Sequence, residues 1–165
     1  MGKQEKLFLI VTIATIGWII LMRPFSPANI VQFELAKKVE SAQHIITEWG
    51  TEGVSKAQVS IYLDFIFIFL YAWAIGLGCK VSSAFSDNEK LMVAGTFFSR
   101  IIWFAGSCDL IENFAMLFTL TEMNELTVSM AFYFAVIKFI VVLLALLLIF
   151  FAMAVGVFIN GLVKW

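Results

Sequence analysis

Four long apolar runs divide this chain, and each is close to the roughly 20 residues that cross a bilayer as a helix. The first is Leu7 to Met22, bracketed by Lys6 and Arg23; the others are centred in 59–79, 91–120 and 127–155. A helix apolar on every face has to lie in lipid or in a large core. The chain is too short for such a core: 165 residues make one domain. It is 62% hydrophobic, where a soluble domain is about half apolar. The excess has to face lipid. The expected fold is therefore all-α, an integral membrane four-helix bundle in a single domain spanning 1–165, with spans at about 7–23, 59–79, 91–120 and 127–155.

The connections refine this. Lys3 and Lys6 followed by an apolar run could be read as a signal peptide, with Ser26 and Ala28 as the small residues of a cleavage site. The run is long for that, and Arg23-Pro24 is an unsuitable approach to a cleavage site, so a retained anchor is expected. The stretch from Pro24 to Lys56 is too charged to span. Ser26-Pro27 reads as a helix start. Phe33, Ala36, Val39, Ala42, Ile46 and Trp49 recur at helical spacing, and Gly50 is a natural stop. One amphipathic surface helix is thus expected over about 27–49, between spans one and two. Ser55 to Gln58 and Ser86 to Glu89 match capping boxes and should open spans two and three. The third helix should run to about Thr121, with Arg100 snorkelling to the inner headgroups. A tight turn at 122–125 leads to the fourth span, longer than a bilayer requires, and Lys164-Trp165 reads as an interfacial anchor.

Basic residues set the orientation. One side carries Lys3, Lys6, Lys80, Lys90 and Lys164; the other carries Arg23, Lys37, Lys38 and Lys56, interleaved with Glu34, Glu40, Glu48 and Glu52. Both termini are expected in the cytoplasm, in the cell's inner (plasma) membrane. The net charge of -1, with no basic stripe, argues against nucleic acid as a partner. With a single histidine and two distant cysteines, Cys79 and Cys108, no metal centre, haem site or disulfide is expected. No phosphate-loop, nucleophile-elbow or zinc-protease motif occurs, and no cofactor is implied. No internal repeat marks an inverted-repeat transporter.

What sets the chain apart from a plain bundle is acid within the membrane. Asp109, Glu112 and Asn113 fall within about a 100° arc of span three, near its middle. A central Asp costs about 2.5–3.5 kcal/mol to insert, against about 0.3–0.6 returned by each large apolar residue. Lys138 offers a partner. With the turn centred near 123–124, Asp109 lies as far before it as Lys138 lies after it, so an antiparallel hairpin brings the two to one depth. Ala131, Ala135, Val142 and Ala145 share the face of Lys138 and allow close approach. An ion pair of Lys138 with Asp109 or Glu112 is expected, and one base cannot neutralise both acids. Asp64 of span two should reach the level of Asn113, with Tyr62 and Tyr71 near it on the same helix. The cluster is then Asp64, Asp109, Glu112, Asn113 and Lys138, open toward the outer side, with Glu34 and His44 as possible caps.

Such a network can simply specify helix pairing, since interhelical polar contacts average under about 1 kcal/mol. Yet an apolar seam would serve that end at lower cost, and intramembrane charge marks function by default. Four functions fit. A binding or carrier protein would set Asp109 and Glu112 against the cationic or hydroxylated head of a small amphiphile or lipid, with Asn113 orienting it and Lys138 balancing charge. A membrane-embedded isomerase would use the two carboxyls as general acid and base. A proton or ion pathway would run through Asp64, Glu112 and Asp109. An accessory subunit would use the bundle to hold a membrane-protein partner.

The segments Leu63-Asp64-Phe65-Ile66-Phe67 and Asp109-Leu110-Ile111-Glu112-Asn113, with Phe33-Glu34-Leu35-Ala36 and Trp49, resemble small four-span bacterial membrane proteins of no assigned function. The resemblance covers nearly the whole chain and implies the architecture without an activity. The architecture is also similar to that of the four-helix sterol-isomerase and sigma-receptor-like proteins. That likeness is one of fold and implies, by analogy alone, an intramembrane acid that meets an amphipathic amine.

Overall fold

A computed structural model describes residues 2–162 of the chain, with side chains through residue 159. Four helices are long and apolar enough to cross a membrane, over Lys3–Phe25, Val39–Phe85, Glu89–Thr121 and Glu125–Ile159. They form an all-α bundle. The expected anchor at Lys164-Trp165 lies outside the described residues.

Helix α1, Lys3–Met22, starts beside Glu5, whose carboxylate accepts from the Gly2 N–H at 2.8 Å. It ends in a 3-10 turn at Arg23–Phe25, where Pro24 brings no backbone donor to continue the ladder. Helix α1 packs along the spanning part of α3, Val39–Phe85. The Trp18 indole donates to the Leu63 carbonyl at 3.1 Å, and the Thr15 hydroxyl to the Leu70 carbonyl at 3.3 Å. The rest of α1 is largely exposed, including Ile10, Ile13, Ile16 and Ile20, as expected for a lipid-facing helix.

Helices α3, α4 (Glu89–Thr121) and α5 (Glu125–Leu162) pack against one another. Small residues set their approach. A Cβ at Gly95 of α4 would fall on the Ser83 hydroxyl and lie 2.6 Å from the Cys79 carbonyl of α3, so only glycine fits there. Both cysteines are buried as free thiols.

Three local expectations need correction. The surface stretch is not one helix over 27–49. Asn29, at φ 65°, opens a short helix, α2, Ile30–Glu34; the chain then breaks and restarts at Val39 from an extended Lys38. The reason is packing. Phe33 and Trp49 stack with ring centroids 5.1 Å apart, and the Trp49 indole donates to the Ala28 carbonyl at 2.6 Å. A straight helix would hold Phe33 and Trp49 about 24 Å apart, so burying both requires the chain to double back. Second, Ser55 does not open a helix. Gly50 kinks the chain with φ 59°, ψ -169°, and helix resumes at once; the Ser55 hydroxyl bonds back to the Thr51 carbonyl at 3.1 Å. Third, the cap of α4 is Asn88, not Ser86. Its side chain accepts from the N–H groups of Lys90 and Leu91 at 3.0 and 3.3 Å, while Ser86 closes α3.

Two apolar cores stack along the bundle axis. One gathers Phe33, Ala42, Ile45, Ile61, Met116 and Val128 under the surface stretch. The other gathers Ile68, Ala72, Cys79, Ile102, Ala105 and Ala145 toward the opposite end. Asp64 on α3, Asp109, Glu112 and Asn113 on α4, and Lys138 on α5 fall along the chain between the residues of these two cores.

Candidate functional site

Asp109 sits twelve residues inside α4 from Thr121, about 18 Å by helical rise, which is well within a hydrocarbon core about 30 Å thick. Residues 109, 112 and 113 share a face of α4 turned toward α3 and α5. All three are buried, Glu112 completely at 0% exposure. Lys138 enters from α5 in company with Ala131, Ala135 and Ala145, whose small side chains are buried in the bundle.

The geometry centres on the Lys138 ammonium. Its Nζ lies 2.7 Å from Asp109 Oδ1 and donates to it. It also donates to Glu112 Oε1 at 2.9 Å. Glu112 Oε2 is as near, at 2.8 Å, but at an angle that makes no hydrogen bond, so this buried oxygen is left without one. Lys138 therefore joins both acids, where the depth argument asked for only one. The other oxygen of Asp109, Oδ2, accepts from the Tyr71 hydroxyl at 2.8 Å. Asp64 Oδ2 accepts from the Asn113 amide at 2.7 Å.

The surface stretch completes the site. Glu34, at the end of α2, brings Oε2 to 3.8 Å from Lys138 Nζ with its side chain 16% exposed. Burial pushes the Glu34 carboxyl above its ordinary range, and the pull of Lys138 opposes that without overcoming it. His44 does not join. Its side chain is 74% exposed, and its Nδ1 lies 3.5 Å from Glu48 one turn on, a pairing along the outer face of the helix. Helical spacing carries no phase for His44 against Glu34, because the break at 35–38 decouples the two segments. Tyr71 is the reverse case, a site residue seen only as a neighbour. It stands seven residues after Asp64 on α3, two turns along one face, and that spacing was the available signal.

Three carboxyls, Glu34, Asp109 and Glu112, thus lie within 3.8 Å of one ammonium, and a fourth, Asp64, joins through Asn113. They are not equivalent. Glu112 is sealed, whereas Glu34, Asp64, Asp109 and Lys138 line an open recess of about 290 Å3. Its remaining lining is Tyr71 and the apolar Val31 of α2, Phe67 and Ile75 of α3, and Phe139 and Val142 of α5. Tyr62, by contrast, is 61% exposed and lies outside the network. Charged groups that converge on an apolar recess can fix the head of an amphiphile while leaving its tail in contact with hydrocarbon.

Compared with protein-family models, curated proteins and solved structures, the chain matches none.

Proposed function

We propose that this membrane protein binds or carries a small amphiphile or lipid, head at the Lys138 cluster and tail against the apolar walls. The observation that carries this reading is the recess itself, with Glu34, Asp64, Asp109 and Lys138 on the same lining as Phe67, Ile75, Phe139 and Val142. At about 290 Å3 it is near the lower bound of ordinary ligand sites, roughly 300 Å3. That suits a polar head and the start of a chain, with the remainder left in the bilayer. The recess lies between α3 and α5 and is open, which supports lateral access from lipid.

A polar pathway across the bilayer is less well supported. Beyond Tyr71 the bundle interior turns to Ala72, Ile102, Ala105, Cys79 and Ala145, and among the described residues no carboxyl, lysine or histidine is buried there. Isomerase chemistry by Asp109 and Glu112 would need both carboxyls to meet substrate, and Glu112 does not line the recess. The distribution of lysines supports the inner (plasma) membrane with both termini cytoplasmic, which puts the recess nearer the outer leaflet.

Native mass spectrometry of protein released from membranes tests the reading. The wild type should carry a defined small molecule. Asp64→Asn, which alters the head site, and Ile75→Trp, which fills the apolar wall without touching a charge, should each arrive folded and bare. A bare wild type would remove the basis for a ligand site.

A further inference from the structure

A second recess, of about 440 Å3, lies between the end of α1 and α3 and shares Val31, Asp64 and Phe67 with the first. Its own polar residues are Arg23, Ser26 and Ser60, and Ile19 and Met22 make it apolar toward α1. Arg23 is exposed and makes no ion pair among the described residues. Ser60 and Asp64 are one turn apart on the same face of α3. One recess thus has Arg23, Ser26, Ser60 and Asp64 on an otherwise apolar lining, with Ser60 about a helical turn, roughly 6 Å, from Asp64.

The two ends ask for opposite charges. A guanidinium with neighbouring hydroxyls is suited to the oxygens of a phosphate. Asp64 accepts from Asn113 through Oδ2, and its other oxygen makes no hydrogen bond among the described residues, so it can take one from an incoming N–H. Three further carboxyls around a single lysine lie on the far side of Asp64, which deepens the preference for a cation there. A free phosphate or a plain fatty acid satisfies one end only. A quaternary ammonium satisfies the charge at Asp64 but has no N–H to give.

We propose that this recess holds the headgroup of a zwitterionic phospholipid with a primary amine, its phosphate against Arg23, Ser26 and Ser60 and its ammonium against Asp64. The acyl chains leave over Ile19 and Phe67 into the bilayer. The inference deepens the amphiphile reading and rests on it, because Asp64 is the group that joins the two recesses.

The test is native mass spectrometry of the delipidated full chain, titrated separately with phosphatidylethanolamine, phosphatidylcholine, phosphatidylglycerol, diacylglycerol and soluble phosphoethanolamine. Phosphatidylethanolamine should bind about tenfold more tightly than any of the others, the size of one lost charge-assisted hydrogen bond. Arg23→Gln should weaken it about tenfold, Arg23→Lys should restore most of the loss, and Asp64→Asn should abolish the preference over phosphatidylcholine. Arg23 is exposed at the end of α1, so its variants should fold. Equal binding of all the lipids, or phosphoethanolamine binding as well as the lipid, would overturn the assignment. So would an unchanged affinity in Arg23→Gln. Should the wild type bind none of these lipids yet arrive from its own membranes with another amphiphile that Asp64→Asn loses, this inference fails while the wider reading stands.

Discussion

At the scale of single residues, Lys138 decides whether the bundle interior is tolerable. It is the one cation among the site's four carboxyls and lies within 2.9 Å of both Asp109 and Glu112. Removing one member of a buried pair strands the other, which costs about 3–5 kcal/mol, whereas removing both restores much of the loss. Lys138→Met should therefore lower the unfolding midpoint in detergent sharply. Lys138→Met with Glu112→Gln should recover part of it, a coupling that a double-mutant cycle reads directly. Tyr71→Phe leaves the cavity shape intact and deletes only the bond to Asp109 Oδ2. A hydrogen bond to a charged group contributes about 1.5–3 kcal/mol, and the same melting assay should show a loss of that order. An unchanged midpoint in Tyr71→Phe would place Tyr71 outside the network.

At the scale of elements, the surface stretch over 30–49 packs on one of the two apolar cores. It is fastened by Phe33 and Ala36, which are buried, by the Trp49 contacts to Phe33 and Ala28, and by Glu34 at Lys138. Gly50 sets its direction in a backbone conformation (φ 59°, ψ -169°) that is essentially restricted to glycine. Gly50→Ala should cost about 1–3 kcal/mol there. Its sign is loosening of the stretch, read as faster hydrogen exchange over 30–49 with the spans unchanged. Docking should also respond to pH through Glu34. Its carboxyl is raised above 4.5 in the folded chain, chiefly by burial, with Lys138 pulling it down and Asp109 pushing it up. The folded form therefore holds a proton that the undocked form releases. Docking is firmest below about pH 4.5 and weakens as pH rises through the folded value. Protection over α2, taken relative to the intrinsic exchange rate at each pH, should fall along that rise in the wild type, and Glu34→Gln should flatten the profile. A profile unchanged by the substitution would assign the dependence elsewhere.

At the scale of the whole molecule, four spans, an all-α bundle and the meeting of α4 with α5 at one depth could be read from sequence. Each rests on quantities that run along the chain: apolar length, the position of the turn, helical rise. Asp109 and Lys138 are equidistant from the 123–124 turn, so their pairing needed no knowledge of neighbouring helices. The common level of Asp64 and Asn113 was legible from depth as well, but not the hydrogen bond between them. What stayed hidden depends on rotation or on contacts between segments. The doubling back at 35–38 follows from Phe33 reaching Trp49, a contact that helical spacing of the stripe cannot show. Asn88 competes with Ser86 for the same helix start, and the motif favoured the wrong one. The open recess between α3 and α5 arises from three helices and α2 together, so no segment carries a sign of it. The orientation proposed for the bundle has its own check at this scale. A cysteine placed at exposed Ser41 should label with an impermeant thiol reagent from outside intact cells, and one at exposed Gln4 should not. The reverse pattern would invert the topology.

The recess beside Lys138 is proposed to receive an amphiphile. An experimental density map of the protein in nanodiscs of its own membrane lipid tests it most directly. Elongated density is expected between α3 and α5, in contact with Asp64 and Lys138 at one end and with Ile75 and Val142 along its length. A recess closed by its own side chains, or filled by ordered water alone, would contradict the claim and leave the charged cluster as a device for pairing helices.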